Sequence, residues 1–181
     1  PLDLLDTQVG KSSQDALNNS ARNLEYKFIS AIKDLSQRDK PNIAFIEGHG
    51  ELTDKEVYDI TQSLSKKYNV DRVAINEQIT ALNKRTERSD SSIVISSRYD
   101  AIIIAKPTKP FSEKDKFIID QYIMRGGKVL WLIDPVFATM DSLQSSESTM
   151  GNSLDLRLDD MFFKYGVRLN KNLLLDYNSA A

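Results

Sequence analysis

The sequence contains no cysteine. Disulfides, thiolate metal sites and a cysteine nucleophile are therefore excluded. Histidine occurs once, at His49, and one imidazole with no second histidine or cysteine makes a poor metal site. No run of roughly 18 apolar residues exists, so no segment reads as a membrane span. No signal peptide is visible either. Neither sign of charge dominates: 24 basic residues stand against 26 acidic ones, a net of -2. No strong pull toward nucleic acid or an anionic membrane is encoded, and no basic stripe is interleaved with aromatics.

What remains is the composition of an ordinary globular protein. The 181 residues are 40% hydrophobic and 28% charged, enough for one domain with extra parts and a core of normal size. The chain opens on Pro1 and closes on NSAA just after an apolar run, as a piece of a longer protein is expected to do.

Two segments are expected: an amphipathic helix within 1–40 and an α/β domain over 41–181. Leu17, Ala21, Leu24, Phe28, Ala31 and Leu35 step by alternating fours and threes, which places them on one stripe close to a coiled-coil seam. Ile29 and Ile32 widen it. The stripe fits a helix docked on its own domain, and equally a stalk or partner-binding helix through which copies self-associate.

Beyond Lys40-Pro41 the pattern changes. Ile43–Ile46 is a short apolar run typical of a strand covered on both faces. EGHGE follows as a turn, and Thr53 with Glu56 matches a capping box for a helix to about Tyr68, with Val57, Ile60, Leu64 and Tyr68 inward. Val70–Ile75 reads as an edge or near-edge strand. The polar stretch 76–100 is long enough to need a hairpin or a functional insertion, with one extra strand in SIVISSRY. AIIIA over 101–105 is a buried strand. Ser112 caps a helix with acids in its first turn and Phe117, Ile118, Tyr122 and Ile123 on its buried face, closed by Gly126. KVLWLI over 128–133 reads as the next buried strand. A serine-rich loop spans 142–153, Ser153 is read as capping a helix that ends at Gly166, and Leu173–Leu175 as a final strand. Strands alternating with helices predict an open, mostly parallel flavodoxin-like or class I glutamine amidotransferase-like sheet with helices on both faces, in strand order 2-1-3-4.

In such a sheet ligands sit at the carboxyl ends of the strands. The loops there are EGHGE, KPTKP and DPVFATMD, and their candidate ligand-binding residues are Glu47, His49, Glu51, Lys106, Thr108 and Asp134, with Lys109 beside them. If the first and third strands are neighbours, His49 and Lys106 face one crevice. Each residue has a plainer reading. The glycines allow a sharp bend into a helix. The glutamates are solvated carboxylates, the prolines stiffen a loop, and Asp134 caps a turn. In amidotransferase-like folds the nucleophile stands on the turn after the third strand. Here that turn is Ala105-Lys106-Pro107-Thr108, without cysteine or serine, and Pro107 is expected to block the sharp elbow into the helix. No catalytic residue, metal or cofactor is expected.

FIEGHGEL, YDAIIIAKPTKPFSEKDKFIIDQYIMRGGKVLWLIDPV and LDDMFFKYGVRLNKNLLLD resemble the GldG family of gliding-motility-associated ABC transporter subunits. More loosely, they are similar to the wider family of ABC-type auxiliary components. The resemblance runs over about residues 14–178 and is most specific over 99–136. It implies a parent protein with a transmembrane helix at each end and a large portion on the periplasmic side of the inner membrane. It also implies a permease partner and, through that permease, a separate ATPase; no Walker A motif occurs in this chain. The implied role is a non-enzymatic accessory domain, often labelled substrate-binding, without nucleic acid. The alternative is a small-molecule or glycan binding domain using the strand-end crevice. The resemblance carries over no catalytic residue.

Overall fold

A computed structural model describes residues 12–36, 39–87, 93–138 and 151–173. The chain separates into two compact units, Pro1–Lys40 and Pro41–Ala181.

The first unit carries helix α1, Ser13–Ser36. Its start is capped reciprocally: the Asp15 backbone N–H donates to the Ser12 hydroxyl, which in turn donates to the Asp15 carboxylate at 2.6 Å. Asp15 in the first turn and Lys33 in the last suit the helix dipole. The stripe residues Leu17, Leu24, Phe28 and Leu35 are exposed, as are Ile29 and Ile32.

The second unit is built on a sheet of four parallel strands. These are β1 (Asn42–Glu47), β2 (Asn69–Ala74), β5 (Ala101–Ala105) and β6 (Lys128–Leu132), in the order β2-β1-β5-β6. Counted over the sheet strands alone, this is the expected 2-1-3-4. Two-residue periodicity divides the strands between two apolar layers. Ala44, Ile46, Ile102 and Ile104 face helix α3 (Glu113–Met124) through Ile118, Ile119 and Tyr122. Ile43, Phe45, Ile103 and Ala105 face the opposite side, against Val57 and the inner face of helix α2 (Tyr58–Ser65).

Local signals placed several boundaries well. Ser112 caps α3, accepting from the Asp115 N–H at 3.1 Å. Gly126 takes φ +88 just past the helix end, in the left-handed region that glycine enters freely. Directly after it, Gly127 packs against Tyr122 so closely that an added Cβ would lie 2.4 Å from the ring. Tyr122 is fully buried, its hydroxyl donates to the Tyr99 carbonyl at 2.9 Å, and burial pushes its pKa up to about 12. The ring cannot retreat, so Gly127→Ala is expected to destabilise by about 1–3 kcal/mol through overpacking. A urea unfolding midpoint indistinguishable from the parent's would contradict this packing.

The stretch 76–100 contains a hairpin, as its length suggested: β3 (Asn83–Glu87) runs antiparallel to β4 (Ile93–Ser97), and among the described residues it pairs with no strand of the main sheet. Other expectations change. The capping box at Thr53 is half made: Glu56 accepts from the Thr53 N–H, but the Thr53 hydroxyl donates to that same carboxylate. The chain therefore makes a turn first, and α2 begins at Tyr58 with Ile60 exposed. Phe117 likewise points outward, and Asp115, Lys116 and Ile119 take its place on the buried side of α3. KVLWLI is less buried than expected: among the described residues it has a strand neighbour on one side, and Leu130 and Leu132 are exposed, while Val129 and Trp131 pack inward. Ser153 caps no helix. It lies in the short ribbon of β7 (Val136–Phe137) and β8 (Asn152–Ser153), and helix α4 starts later, at Asp159–Lys164, closed by Gly166 as expected. The final strand expected at Leu173–Leu175 falls, apart from Leu173, outside the described residues.

Candidate functional site

The loops after β1 and β5 are fastened to each other by main-chain bonds. The amides of Thr108 and Lys109 both donate to the His49 carbonyl, at 2.9 and 2.8 Å, and the Thr108 hydroxyl donates to the Gly50 carbonyl at 3.0 Å. Gly50 takes φ +71, and an added Cβ there would lie 2.2 Å from the Thr108 hydroxyl oxygen. Glycine is the side chain that satisfies both conditions. EGHGE and KPTKP thus form one assembly at the carboxyl ends of the strands.

His49 lies inside that assembly, with 5% of its surface exposed. Its Nδ1 stands 3.2 Å from Glu51 Oε1, and its Nε2 stands 3.1 Å from Asp115 Oδ2. Carboxylates only accept, so an imidazole bonded to both of them donates from both nitrogens and is an imidazolium. Burial of the ring works against that charge. The hydrogen bonds and negative charges of Glu51 and Asp115 outweigh it and hold the pKa above the ordinary 6.5. One face of the ring stacks on Phe111, with centroids 3.8 Å apart and planes 11° apart. The two carboxylates are themselves anchored: Glu51 accepts the His49 backbone N–H at 2.7 Å, and Asp115 accepts the Glu77 N–H at 2.8 Å. The imidazolium therefore joins the β1 loop, the start of α3 and the segment after β2.

The sign of the resulting pH dependence follows from the raised pKa. Protonated His49 contributes stability that is fully present below about pH 6.5 and is lost as pH rises through the higher folded-state value. Urea unfolding is expected to show the protein less stable at pH 9 than at pH 6, with that difference removed by His49→Gln. A His49→Gln profile parallel to the parent's would show that another group is responsible.

The other candidates separate into two places. Glu47 is turned toward β2, where its Oε1 accepts from Arg72 Nε at 2.5 Å while Arg72 also donates to the Leu52 carbonyl. Glu51, Lys106, Thr108 and Asp134 line a groove of about 260 Å³, together with the apolar Leu52 and Phe137. Across its mouth Lys106 Nζ and Asp134 Oδ2 make an ion pair at 2.9 Å, each about half exposed. Lys106 takes φ +51, uncommon for a residue with a Cβ and further disfavoured before proline. No sharp elbow leads from β5 into a helix, in line with what Pro107 led one to expect. Pro107 precedes a loop, since α3 starts only at Glu113. The crevice expected to hold His49 and Lys106 together is accordingly a groove with Lys106 at its rim and His49 buried behind it.

Sequence reasoning missed Phe111 and Asp115, the residues that hold His49. Asp115 had a visible signal, an acid in the first turn of a capped helix, but that signal has a sufficient local cause in the helix dipole. Among the described residues, no group of three or more histidines and carboxylates is arranged to hold a metal ion.

A parallel sheet in this order, with helices on both faces and a groove at the strand ends, defines a flavodoxin-like α/β domain. The family model described as an ABC-type uncharacterized transport system matches residues 40–181, and the chain belongs to this ABC transporter auxiliary family. Neither the curated proteins nor the solved structures yielded a match. The protein is thus an auxiliary component of an ABC-type transport system. Among the described residues no helix is long and apolar enough to cross a membrane.

Proposed function

We propose that this chain is a non-enzymatic accessory domain of an ABC transporter complex, held at the periplasmic face of the inner membrane by segments outside residues 1–181. It docks on the permease and, through it, communicates with the ATPase. Family membership supports the transport role. The state of His49 supports the non-enzymatic part. A general base needs a lone pair within reach of substrate, and both nitrogens of this buried ring are occupied by carboxylates. The turn after β5 offers lysine, proline and threonine but no activated nucleophile. The similarity to the GldG family supports a place in a gliding-motility transporter. The exposed stripe on α1 supports that helix as a second contact, with another copy or with a partner.

The test is cross-linking in membranes carrying the full-length protein, its permease and its ATPase. Recovery of the permease with this domain is the expected result. Recovery of neither subunit under conditions that preserve the complex would count decisively against the reading.

The groove supports a second reading, a small-molecule or glycan binding domain, because Lys106, Thr108 and Asp134 offer polar contacts beside apolar Leu52 and Phe137. A thermal-shift screen of mono- and oligosaccharides is its test. A shift abolished by Lys106→Ala and Asp134→Asn would support it, and a shift unchanged by either would remove the groove from consideration.

A further inference from the structure

A second polar pocket lies at the other end of the sheet from the strand-end groove. Its volume is about 450 Å³, the size of a small-molecule site, and it is lined by Asn42, Asp71, Asn83, Lys84, Arg98 and Tyr99. Asn42 opens β1, Asn83 opens β3, and Arg98 and Tyr99 lie between β4 and β5. The pocket therefore sits at the amino ends of β1 and β5, whereas Lys106 and Asp134 border their groove at the carboxyl ends. Asp71 of β2 stands beside Ala44 in the register, on the α3 face of the sheet. Leu82 and Tyr99, at the base of the hairpin, join the core on that same face.

The walls of the pocket are fixed by main-chain bonds. The Arg98 N–H donates to the Leu82 carbonyl at 2.9 Å, and the Asp100 N–H donates to the Asn42 carbonyl at 2.7 Å. The Asp100 carboxylate accepts the Asn42 N–H at 2.8 Å and is not part of the lining. Tyr99 is buried, and its carbonyl accepts from the Tyr122 hydroxyl. The Arg98 guanidinium lies over the Tyr99 ring, 5.6 Å from its centroid. Among the described residues neither Arg98 nor Lys84 makes an ion pair, whereas Arg72, Lys106, Lys114 and Lys116 each have a carboxylate. Asn83 is buried as well. Its side-chain amide donates to the Ile79 carbonyl at 3.1 Å, and among the described residues its Oδ1 finds no partner. A buried acceptor left unpaired is costly, and this one belongs to a residue of the lining.

These features select a class of ligand. Two unpaired cations against one carboxylate leave a single positive charge on the lining, which matches a monoanion. Arg98 presents a planar fork of donors, the geometry that a carboxylate accepts on both oxygens. Asp71 can only accept, so it suits hydroxyl groups on the same molecule. We propose that this pocket binds a small hydroxylated monocarboxylate, a sugar acid of the uronic type, with Arg98 and Lys84 holding the carboxylate and Asp71 accepting from the hydroxyls. The pocket is separate from the strand-end groove, so it is a further binding site on the same domain.

The test is isothermal titration calorimetry of the 181-residue chain with glucuronate, with glucose and glucose 6-phosphate as its neutral and doubly charged counterparts. Glucuronate is expected to bind saturably, with a Kd of about 1 mM or tighter, and glucose to bind at least about tenfold more weakly. Lys84→Gln and Arg98→Gln are each expected to weaken glucuronate binding by about tenfold. Both side chains are exposed, so the fold is expected to survive, which circular dichroism checks. No saturable binding of glucuronate would overturn the proposal. So would glucose binding as tightly as glucuronate, glucose 6-phosphate binding more tightly, or indifference to both variants. Binding lost on Lys106→Ala and untouched by Lys84→Gln and Arg98→Gln would place the sugar in the strand-end groove and overturn the assignment to this pocket.

Discussion

His49→Ala is expected to destabilise the protein by about 3–5 kcal/mol, because it removes one partner from a buried charged cluster and leaves the others in place. Glu51 and Asp115 have side chains only 2% and 7% exposed, and each uses one oxygen on the ring and the other on a backbone amide. Without the imidazolium, two carboxylates face each other across a cavity that still carries the stacked Phe111 ring. Their negative charge is then left without a buried partner, and water must enter to solvate it. Urea unfolding at pH 7 measures the loss. A loss under about 1 kcal/mol at pH 7 would show that the cluster is solvated in solution and that His49 is free to act elsewhere.

Phe111→Ala is expected to cost about as much, about 3–5 kcal/mol, for a different reason. Phe111 is 1% exposed and fills the space between the His49 ring and Trp131, whose centroid is 6.2 Å away in an edge-on arrangement. Trp131 in turn meets Phe162 of α4 edge-on at 5.0 Å. Removing the Phe111 ring opens a cavity that neither flanking ring can close without leaving its own contacts. Because His49 and Phe111 touch, the two substitutions should not add. A double-mutant cycle is expected to show about 0.5–3 kcal/mol of coupling. Strict additivity would mean that the stacked geometry contributes nothing beyond the burial of each ring.

The transport reading and the fold bear on each other through this cluster. The chain contains one histidine, and the structure commits it to joining three segments. Among the described residues the Lys106–Asp134 pair and a groove of about 260 Å³ stay accessible at the strand ends. The strained φ of Lys106 places that side chain at the rim.

Much of the architecture is legible along the chain because its causes are local. Ile43–Ile46 and AIIIA are too continuously apolar to tolerate water on either face, so they read as central strands, and Ile43, Phe45, Ala44 and Ile46 divide between the two layers as period two requires. Ser112 and Gly126 mark the ends of α3 through contacts within a few residues. The alternation of strand and helix then leaves few ways to order a parallel sheet. Where neighbours in space decide, the same reasoning falters. Nothing within KVLWLI tells that Leu130 and Leu132 are exposed while Val129 and Trp131 pack inward, since what covers each face is not a property of the strand. Ser153 looks like a helix cap as readily as a residue of a two-residue strand, because the Val136–Phe137 backbone that pairs with it lies outside any local window.

The site divides along the same line. That EGHGE turns sharply, and that it stands at the carboxyl end of a strand, follow from two glycines after an apolar run. That His49 is a buried cation follows from Asp115, which lies 66 residues further along the chain and approaches only when β1 and β5 pair and α3 packs on their common face. Charge state depends on the groups within a few ångströms, and chain folding rather than chain order selects those groups.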